Sequence, residues 1–344
     1  MGGKHRAVEA PAEPPVSPST PPIPFTAPRP TAHRAPARES RRPSRRASLR
    51  LALGVFAAAV ITVASVALLT NDQSDDEPVM QASPAPVSAV DARAQLGSSF
   101  IALGLDSSTG VALVPVGSKE PWLFGNLTTP DAWSTIKIPL ALAAERRNGA
   151  NHTETKAIID SDNKSARNLT RSLGTPAQAV DAVTAVLREG GDENTVVTPA
   201  DDDGEWPHLG ETAWSLPDSA IWTAHLPCMA GSEHVLDLMH HVAKTQDWGL
   251  MKLGDRDPAV KGGWGQSDTD HGYLVRQIGL LTLPDGKQVA VAMSTHEPKM
   301  KFERGVTTLN KVAHWLGQKA ALLPAGTCPA PVPASSTPPP APSQ

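Results

Sequence analysis

Several features that would indicate particular classes of protein are missing from this chain of 344 residues. Cysteine occurs only at Cys228 and Cys328, so at most one disulfide can form within it. The formal net charge is −4, and no basic segment is interleaved with aromatic residues, so no nucleic-acid partner is predicted. His240, His241 and His271 lack partners at the spacing of a zinc motif such as H-E-x-x-H, so we predict no metal site and no other cofactor.

Large apolar side chains are nearly absent from the first 50 residues, which are rich in proline, alanine, serine and arginine. Such a segment cannot bury enough surface to offset the entropy of ordering, and we predict a disordered basic tail at 1–50. Residues 51–70 carry no charge. About 20 apolar residues at 1.5 Å per residue span the ~30 Å hydrocarbon layer, which predicts one transmembrane helix.

The flanking charges predict the orientation of this helix. Five arginines lie between Arg41 and Arg50, whereas acidic residues follow at 72–77. The positive-inside rule then places the N-terminus in the cytoplasm and the rest of this single-pass protein outside the cell membrane. A cleaved signal peptide is the alternative, although its apolar core is usually ~7–15 residues. Export would let Cys228 and Cys328 form a disulfide, and two free thiols are the alternative.

Two hairpins are predicted from apolar runs that flank turn sequences. The first joins 100–105 to 111–116 across a turn rich in aspartate, serine and glycine. The second joins 273–283 to 287–295 across Pro284-Asp285-Gly286. Its second arm alternates apolar and polar residues, as a half-buried strand does.

Helical patterns fill much of the remainder. We predict helices at 90–96, 134–147, 163–173, 175–188 and 302–320. This order of elements indicates an α+β fold, with helices around an antiparallel sheet. The predicted domain covers 91–322. A linker at 71–90 precedes it, and a disordered tail rich in proline and alanine follows at 323–344.

Three short motifs stand out within the predicted domain. They are Ser134-Thr135-Ile136-Lys137, Ser161-Asp162-Asn163 and Lys261-Gly262-Gly263. A lone S-x-x-K match means little, because serine and lysine are common and the pair would ordinarily be helix surface. All three motifs in this order indicate a serine nucleophile that is activated without histidine.

The residue types of these motifs suit acyl transfer. A serine hydroxyl is a poor nucleophile until a base takes its proton, and Lys137 lies three residues from Ser134 on one helix face. Burial and a second cation, Lys261, would lower the pKa of Lys137 and make it a base. Ser161 would shuttle the proton to a leaving nitrogen. Asn163 would hold a substrate amide.

Backbone groups complete the predicted site. Ser134 falls at a helix start, where free N–H groups and the positive helix end stabilise an oxyanion. The N–H of Trp264 would be the second oxyanion donor. Gly262 and Gly263 would let the substrate backbone approach the strand closely.

Together these residues resemble the penicillin-recognising serine hydrolases, which include class A β-lactamases and D-alanyl-D-alanine peptidases. The resemblance covers about 98–319. It implies a β-lactamase/transpeptidase-like fold, with a five-stranded antiparallel sheet, flanking helices and a helical lobe. It also implies that a β-lactam or a peptidoglycan stem peptide acylates the Ser134 hydroxyl, and that Lys261 binds a substrate carboxylate.

Three departures from that family pattern affect the expected activity. Only 27 positions separate Ser134 from Ser161, so the helical lobe is expected to be abbreviated. Gly262 replaces the usual hydroxyl residue of the third motif. The stretch 190–226 has no Glu-x-x-Leu-Asn sequence to supply a water-activating carboxylate; Glu193, Glu205 and Glu211 are candidates by proximity only.

Two alternatives follow from these departures. The domain is either an enzyme or a catalytically inactive relative that binds cell-wall peptide or an envelope protein. The tryptophans at 206, 214, 222, 248 and 264 either line a substrate groove or pack the core.

Overall fold

The computed structural model describes residues 87–199 and 206–330. The predicted transmembrane segment at 51–70, the tail before it and nearly all of the linker lie outside these ranges. Within them, no helix is both long enough and apolar enough to cross a bilayer.

A five-stranded antiparallel sheet forms the centre of the domain. Its spatial order is β2-β1-β5-β4-β3, so β3 lies at one edge. The strands are β1 (Ser108–Pro115), β2 (Trp122–Gly125), β3 (Ala259–Gln266), β4 (Tyr273–Thr282) and β5 (Gln288–His296). Strands β4 and β5 are almost wholly buried, because helices cover both faces of the sheet.

Eight α-helices accompany the sheet within the described ranges. They are α1 (Ala89–Ile101), α2 (Lys137–Asn148), α3 (His152–Ile158), α4 (Asn163–Ser172), α5 (Pro176–Glu189), α6 (Leu216–His225), α7 (Glu233–His240) and α8 (Phe302–Gln318). Helices α1 and α8 pack on one face of the sheet, whereas α6 covers the other and α2 packs with α3, α4 and α5.

The sheet separates two hydrophobic cores. Val111 and Leu113 of β1 point into the core with α1 and α8, whereas Ala112 and Val114 point into the core with α2, α5 and α6. This division follows from the two-residue period of a strand, which sends successive side chains to opposite faces.

The first predicted hairpin is wrong. Residues 100–105 do not form a strand, because α1 extends to Ile101 and buries Ala92, Leu96 and Phe100 at helical spacing. Strand β1 pairs instead with β2 and with β5, and β2 was absent from the prediction. The apolar run at the end of α1 resembles a strand because short apolar runs do not distinguish the two states.

The other predicted elements are confirmed. Strands β4 and β5 form the second hairpin, with Leu281 opposite Val289. Helices α4, α5 and α8 lie within two residues of their predicted bounds. Pro139 is the third residue of α2, where its missing N–H breaks no helical hydrogen bond.

The C-terminal segment stays on the domain beyond residue 323, where composition predicted a disordered tail. Gly326 pairs with Gln288 of β5. The sulfur atoms of Cys228 and Cys328 form a disulfide across a sequence separation of 100. The disulfide therefore holds this segment against the turn that follows α6.

Replacing both cysteines, in a C228S/C328S variant, should lower the free energy of unfolding by about 2–5 kcal/mol, because a long closed loop restricts the unfolded chain. Urea denaturation of the purified protein measures this change. Reduced wild-type protein is the control and should show the same loss. An unchanged midpoint would contradict a stabilising role for the disulfide.

Candidate active site

The three motifs meet where the sheet edge faces the helices. Ser134 lies in a 3₁₀ turn, Trp133–Ile136, immediately before α2, and Lys137 is the first residue of α2. Ser161 lies two residues before α4, and Asn163 begins that helix. Lys261 is in β3.

Lys137 is buried and points at the second motif. Its Nζ donates to the Ser161 carbonyl oxygen and to Asn163 Oδ1, each at 2.7 Å, and lies 3.4 Å from Ser161 Oγ. Burial lowers the pKa of Lys137 to about 8, although the charge of Asp162 opposes this and that of Arg167 adds to it. A neutral amine is therefore accessible near neutral pH.

Lys261 approaches the same hydroxyl from the opposite side. Its Nζ donates to Ser161 Oγ at 2.9 Å, to Gln246 Oε1 at 2.5 Å and to the Gly262 carbonyl oxygen at 2.9 Å. Lys261 is fully buried. Burial, followed by the charge of Lys137, lowers its pKa well below the usual value. The Ser161 hydroxyl thus lies between two amines.

The nucleophile turn packs directly on β3. A side-chain carbon added to Gly263 would lie 3.0 Å from the backbone nitrogen of Ser134, so any other residue would push the turn away from the strand. The N–H of Ser134 and the predicted second donor, Trp264, therefore lie on adjacent backbones. In the described part of the chain, Ser134 Oγ makes no hydrogen bond with Lys137 or Ser161.

A cleft of about 350 Å³ opens over Ser134. Ser134, Lys137, Asn163 and Trp264 line it, whereas Ser161, Gly263 and Lys261 do not. Further lining comes from α2, from α4 and from the segment 206–211. The arrangement brings a hydroxyl, an amine, a carboxamide and two backbone segments to one opening.

Two residues at this site have left-handed backbone conformations that side chains disfavour. The φ angle is 44° at Trp133 and 56° at Ser161. Each costs of order 1 kcal/mol or more, and such strain persists only where the surroundings fix it. The Trp133 indole occupies the space beside Gly265, where an added side-chain carbon would lie 2.1 Å away. This packing holds the residue that precedes the nucleophile.

Gln246 links the second and third motifs and was not predicted. Its Nε2 donates to the carbonyl oxygens of Ile158 and Ile159, each at 2.9 Å. Its Oε1 accepts from Lys261 Nζ and, at 3.0 Å, from the N–H of Gly262. One glutamine in a segment without periodicity gives no sequence signal.

Arg276 of β4 holds the approach to the nucleophile turn. It is fully buried, and its guanidinium donates to the carbonyl oxygens of Pro130, Asp131 and Trp214 at 2.9–3.2 Å. Burial lowers its pKa to about 9. A signal was present in this case, because a charged residue is unexpected in the middle of a buried strand.

The three glutamates proposed by proximity have different positions. Glu211 lines the cleft. The pKa of Asp131 is raised first by the burial of Asp131 and second by the negative charge of Glu211. Glu193 is exposed and forms an ion pair with Lys119 at 3.4 Å, so it does not line the cleft. Glu205 lies outside the described residues.

The tryptophans divide between the core and the cleft. Trp214 and Trp222 are fully buried and pack edge to face with ring centroids 5.8 Å apart. Trp248 is also buried. Trp206 and Trp264 line the cleft.

Side chains of metal-binding type come together among the described residues at Glu145, Glu154 and His234. The contacts among these three side chains stabilise helix α3 and its neighbours. Glu154 accepts the Asn151 N–H in the N-terminal capping box of α3, and His234 Nδ1 lies 3.0 Å from Glu145 Oε2. This cluster is separate from the cleft over Ser134.

No protein-family model and no curated protein matches this chain. Among solved structures it is similar to TLA-3 extended-spectrum β-lactamase, with a TM-score of 0.55 and 15% identity over 67% of this chain and 99% of that one. TLA-1 extended-spectrum β-lactamase gives 0.53 and 16% over 67% and 99%. A class A β-lactamase from Bacteroides cellulosilyticus gives 0.54 and 13% over 67% and 98%.

The chain therefore has the fold of class A β-lactamases and of the penicillin-recognising serine hydrolases. This confirms the fold predicted by the resemblance, with its five-stranded antiparallel sheet and flanking helices. At these identities, the similarity shows the fold alone.

Replacing Gln246 with leucine should lower the free energy of unfolding by about 2–3 kcal/mol, since it leaves buried donors and acceptors of both motifs unpaired. Urea denaturation measures this change. Gln266→Leu is the matched control, because Gln266 is the exposed last residue of β3 and its replacement should change stability by less than about 0.5 kcal/mol. Equal effects of the two variants would contradict the bridging role.

Proposed function

We propose that this protein is a membrane-anchored, extracytoplasmic serine hydrolase that forms an acyl-enzyme at Ser134. Its substrate is a β-lactam or a peptidoglycan stem peptide. The single observation that carries the proposal is the convergence of Lys137 and Lys261 on the Ser161 hydroxyl beside the Ser134 turn. No cofactor enters the reaction.

In the proposed step, each proton that leaves one side chain is taken up by another side chain of the site or by the substrate. Neutral Lys137 accepts the proton of the Ser134 hydroxyl as its oxygen adds to the substrate carbonyl carbon. The N–H groups of Ser134 and Trp264 stabilise the oxyanion. The C–N bond then breaks, and the Ser161 hydroxyl gives its proton to the leaving nitrogen. The proton held by Lys137 restores the Ser161 hydroxyl, which lies 3.4 Å from its Nζ.

Deacylation needs a water molecule and a base. Glu211 is the glutamate that lines the cleft, and it is our candidate for this base. It is exposed, and its charge is not held in a buried hydrogen-bond network. We therefore expect the acyl-enzyme to persist longer than in a fast β-lactamase.

A second candidate function is binding without catalysis, either of cell-wall peptide or of an envelope protein. One observation favours it: in the described structure no hydrogen bond joins Ser134 Oγ to Lys137 Nζ, the proposed base, or to Ser161 Oγ. The absence of a hydroxyl at Gly262 agrees with it. The two candidates differ in whether a covalent adduct forms.

Incubation with a fluorescent penicillin should add the intact penicillin mass to the protein, because β-lactam opening leaves both halves attached to the serine. Intact-protein mass spectrometry and peptide mapping to Ser134 measure this. Ser134→Ala should form no adduct, and Ser172→Ala, at the far end of α4, should react normally. Without an adduct on wild-type protein, the binding function would replace the enzymatic one.

The acylation rate should rise with pH. Because burial lowers the pKa of Lys137 to about 8, its neutral form is scarce below that pH. The rate constant should increase about tenfold per pH unit below 8 and level off above it. Stopped-flow fluorescence from pH 5.5 to 9.5 measures the profile. A flat profile would exclude Lys137 as the titrating base.

A further inference from the structure

Three cationic side chains near Ser134 already donate hydrogen bonds to oxygen atoms of the protein. Lys137 and Lys261 are buried, and each Nζ has three oxygen acceptors. Arg276 is buried and donates to three carbonyl oxygens and to the Ser219 hydroxyl. None of these groups can turn to a substrate anion without leaving a buried oxygen unpaired.

Arg167 differs from these three. It lines the cleft with Ser134, its side chain is exposed, and it has no carboxylate partner within residues 87–199 and 206–330. It lies one helical turn after Asn163 on the same face of α4. An exposed guanidinium in this position can receive a planar carboxylate with two parallel hydrogen bonds.

The order of residues along α4 gives the cleft a direction. Ser161 precedes the helix, Asn163 begins it, and Arg167 follows about 6 Å further along its axis at 1.5 Å per residue. Ser161 gives its proton to the leaving nitrogen in the proposed reaction. The leaving half of a substrate therefore lies at the Ser161 end, and the acyl half extends past Asn163 towards Arg167.

One wall of the cleft, formed by residues 206–211, offers apolar surface to the acyl half. Trp206 and Leu209 line it, and the Arg171 guanidinium lies 5.8 Å from the Trp206 ring centroid. The same wall carries Glu211, which has His208 at 3.8 Å. The acyl end of the cleft thus combines an aromatic surface with the exposed cation Arg167 of α4.

We propose that Arg167 is a specificity-determining residue that selects acyl donors with a carboxylate beside an aromatic or other apolar group on the acyl side. This inference rests on the proposed acyl-enzyme function and adds the class of substrate that the site prefers.

Two penicillins that differ by one group provide the test. Carbenicillin carries a carboxylate on the carbon that bears the phenyl ring, and benzylpenicillin lacks it, while the rest of the two molecules is identical. The readout is the ratio of their second-order acylation rate constants, measured by mass spectrometry on the full chain. Arg167→Gln should lower the carbenicillin-to-benzylpenicillin ratio about tenfold, and Arg167→Lys should lower it less.

Lys164→Gln is the matched control. Lys164 is an exposed cation on the same helix, and it lies in a separate surface depression with Asp160 and Asp162. Its removal changes net charge equally and should leave the ratio within about twofold. The difference between the two variants should also shrink at high salt, because exposed charges are screened.

The outcomes separate the two proposals. If benzylpenicillin acylates wild-type protein and Arg167→Gln leaves the ratio unchanged, or slows both penicillins equally, the inference about Arg167 is overturned while the acyl-enzyme function stands. If neither penicillin forms an adduct with wild-type protein, the proposed function fails and the inference fails with it.

Discussion

The hydroxyl of Ser161 between two buried amines is the interaction on which the site depends. Lys137 comes from the helix that follows the nucleophile, and Lys261 comes from the edge strand of the sheet. Burial of two amines beside one hydroxyl disfavours the charged form of each amine. Burial is the main cause that lowers the pKa of Lys137, and burial followed by the charge of Lys137 lowers the pKa of Lys261. The shared Ser161 hydroxyl joins three dispersed motifs into one hydrogen-bonded unit.

The scaffold fixes this unit through groups that take no direct part in the proposed reaction. Gln246 ties Lys261 to the backbone before Ser161, and Arg276 holds the backbone before the nucleophile turn. Gly263 allows the strand to approach Ser134. The strained backbones of Trp133 and Ser161 are maintained by these contacts. The residues that stabilise the junction of sheet and helices therefore also position the groups of the proposed reaction.

Much of the architecture could be predicted because its signals are local. The β4–β5 hairpin has a turn sequence and alternation, and α8 has a clear apolar face. The motif order supplied the fold class through family resemblance. The first hairpin failed because the apolar end of α1 resembles a strand, and β2 is too short to show a period. Gln246 could not be predicted, because its role depends on residues about 88 positions away in the sequence that come close to it only in the folded chain.

The most direct test of this account is an NMR titration of the two buried lysines, with side-chain labelling and assignment by substitution. We predict that Lys137 titrates near pH 8, and that Lys261 titrates well below the usual lysine pKa. In a Lys137→Met variant the pKa of Lys261 should rise, because a neighbouring positive charge is removed. If both lysines titrate at the ordinary value, and neither responds to loss of the other, the amines do not share the Ser161 hydroxyl and the account is contradicted.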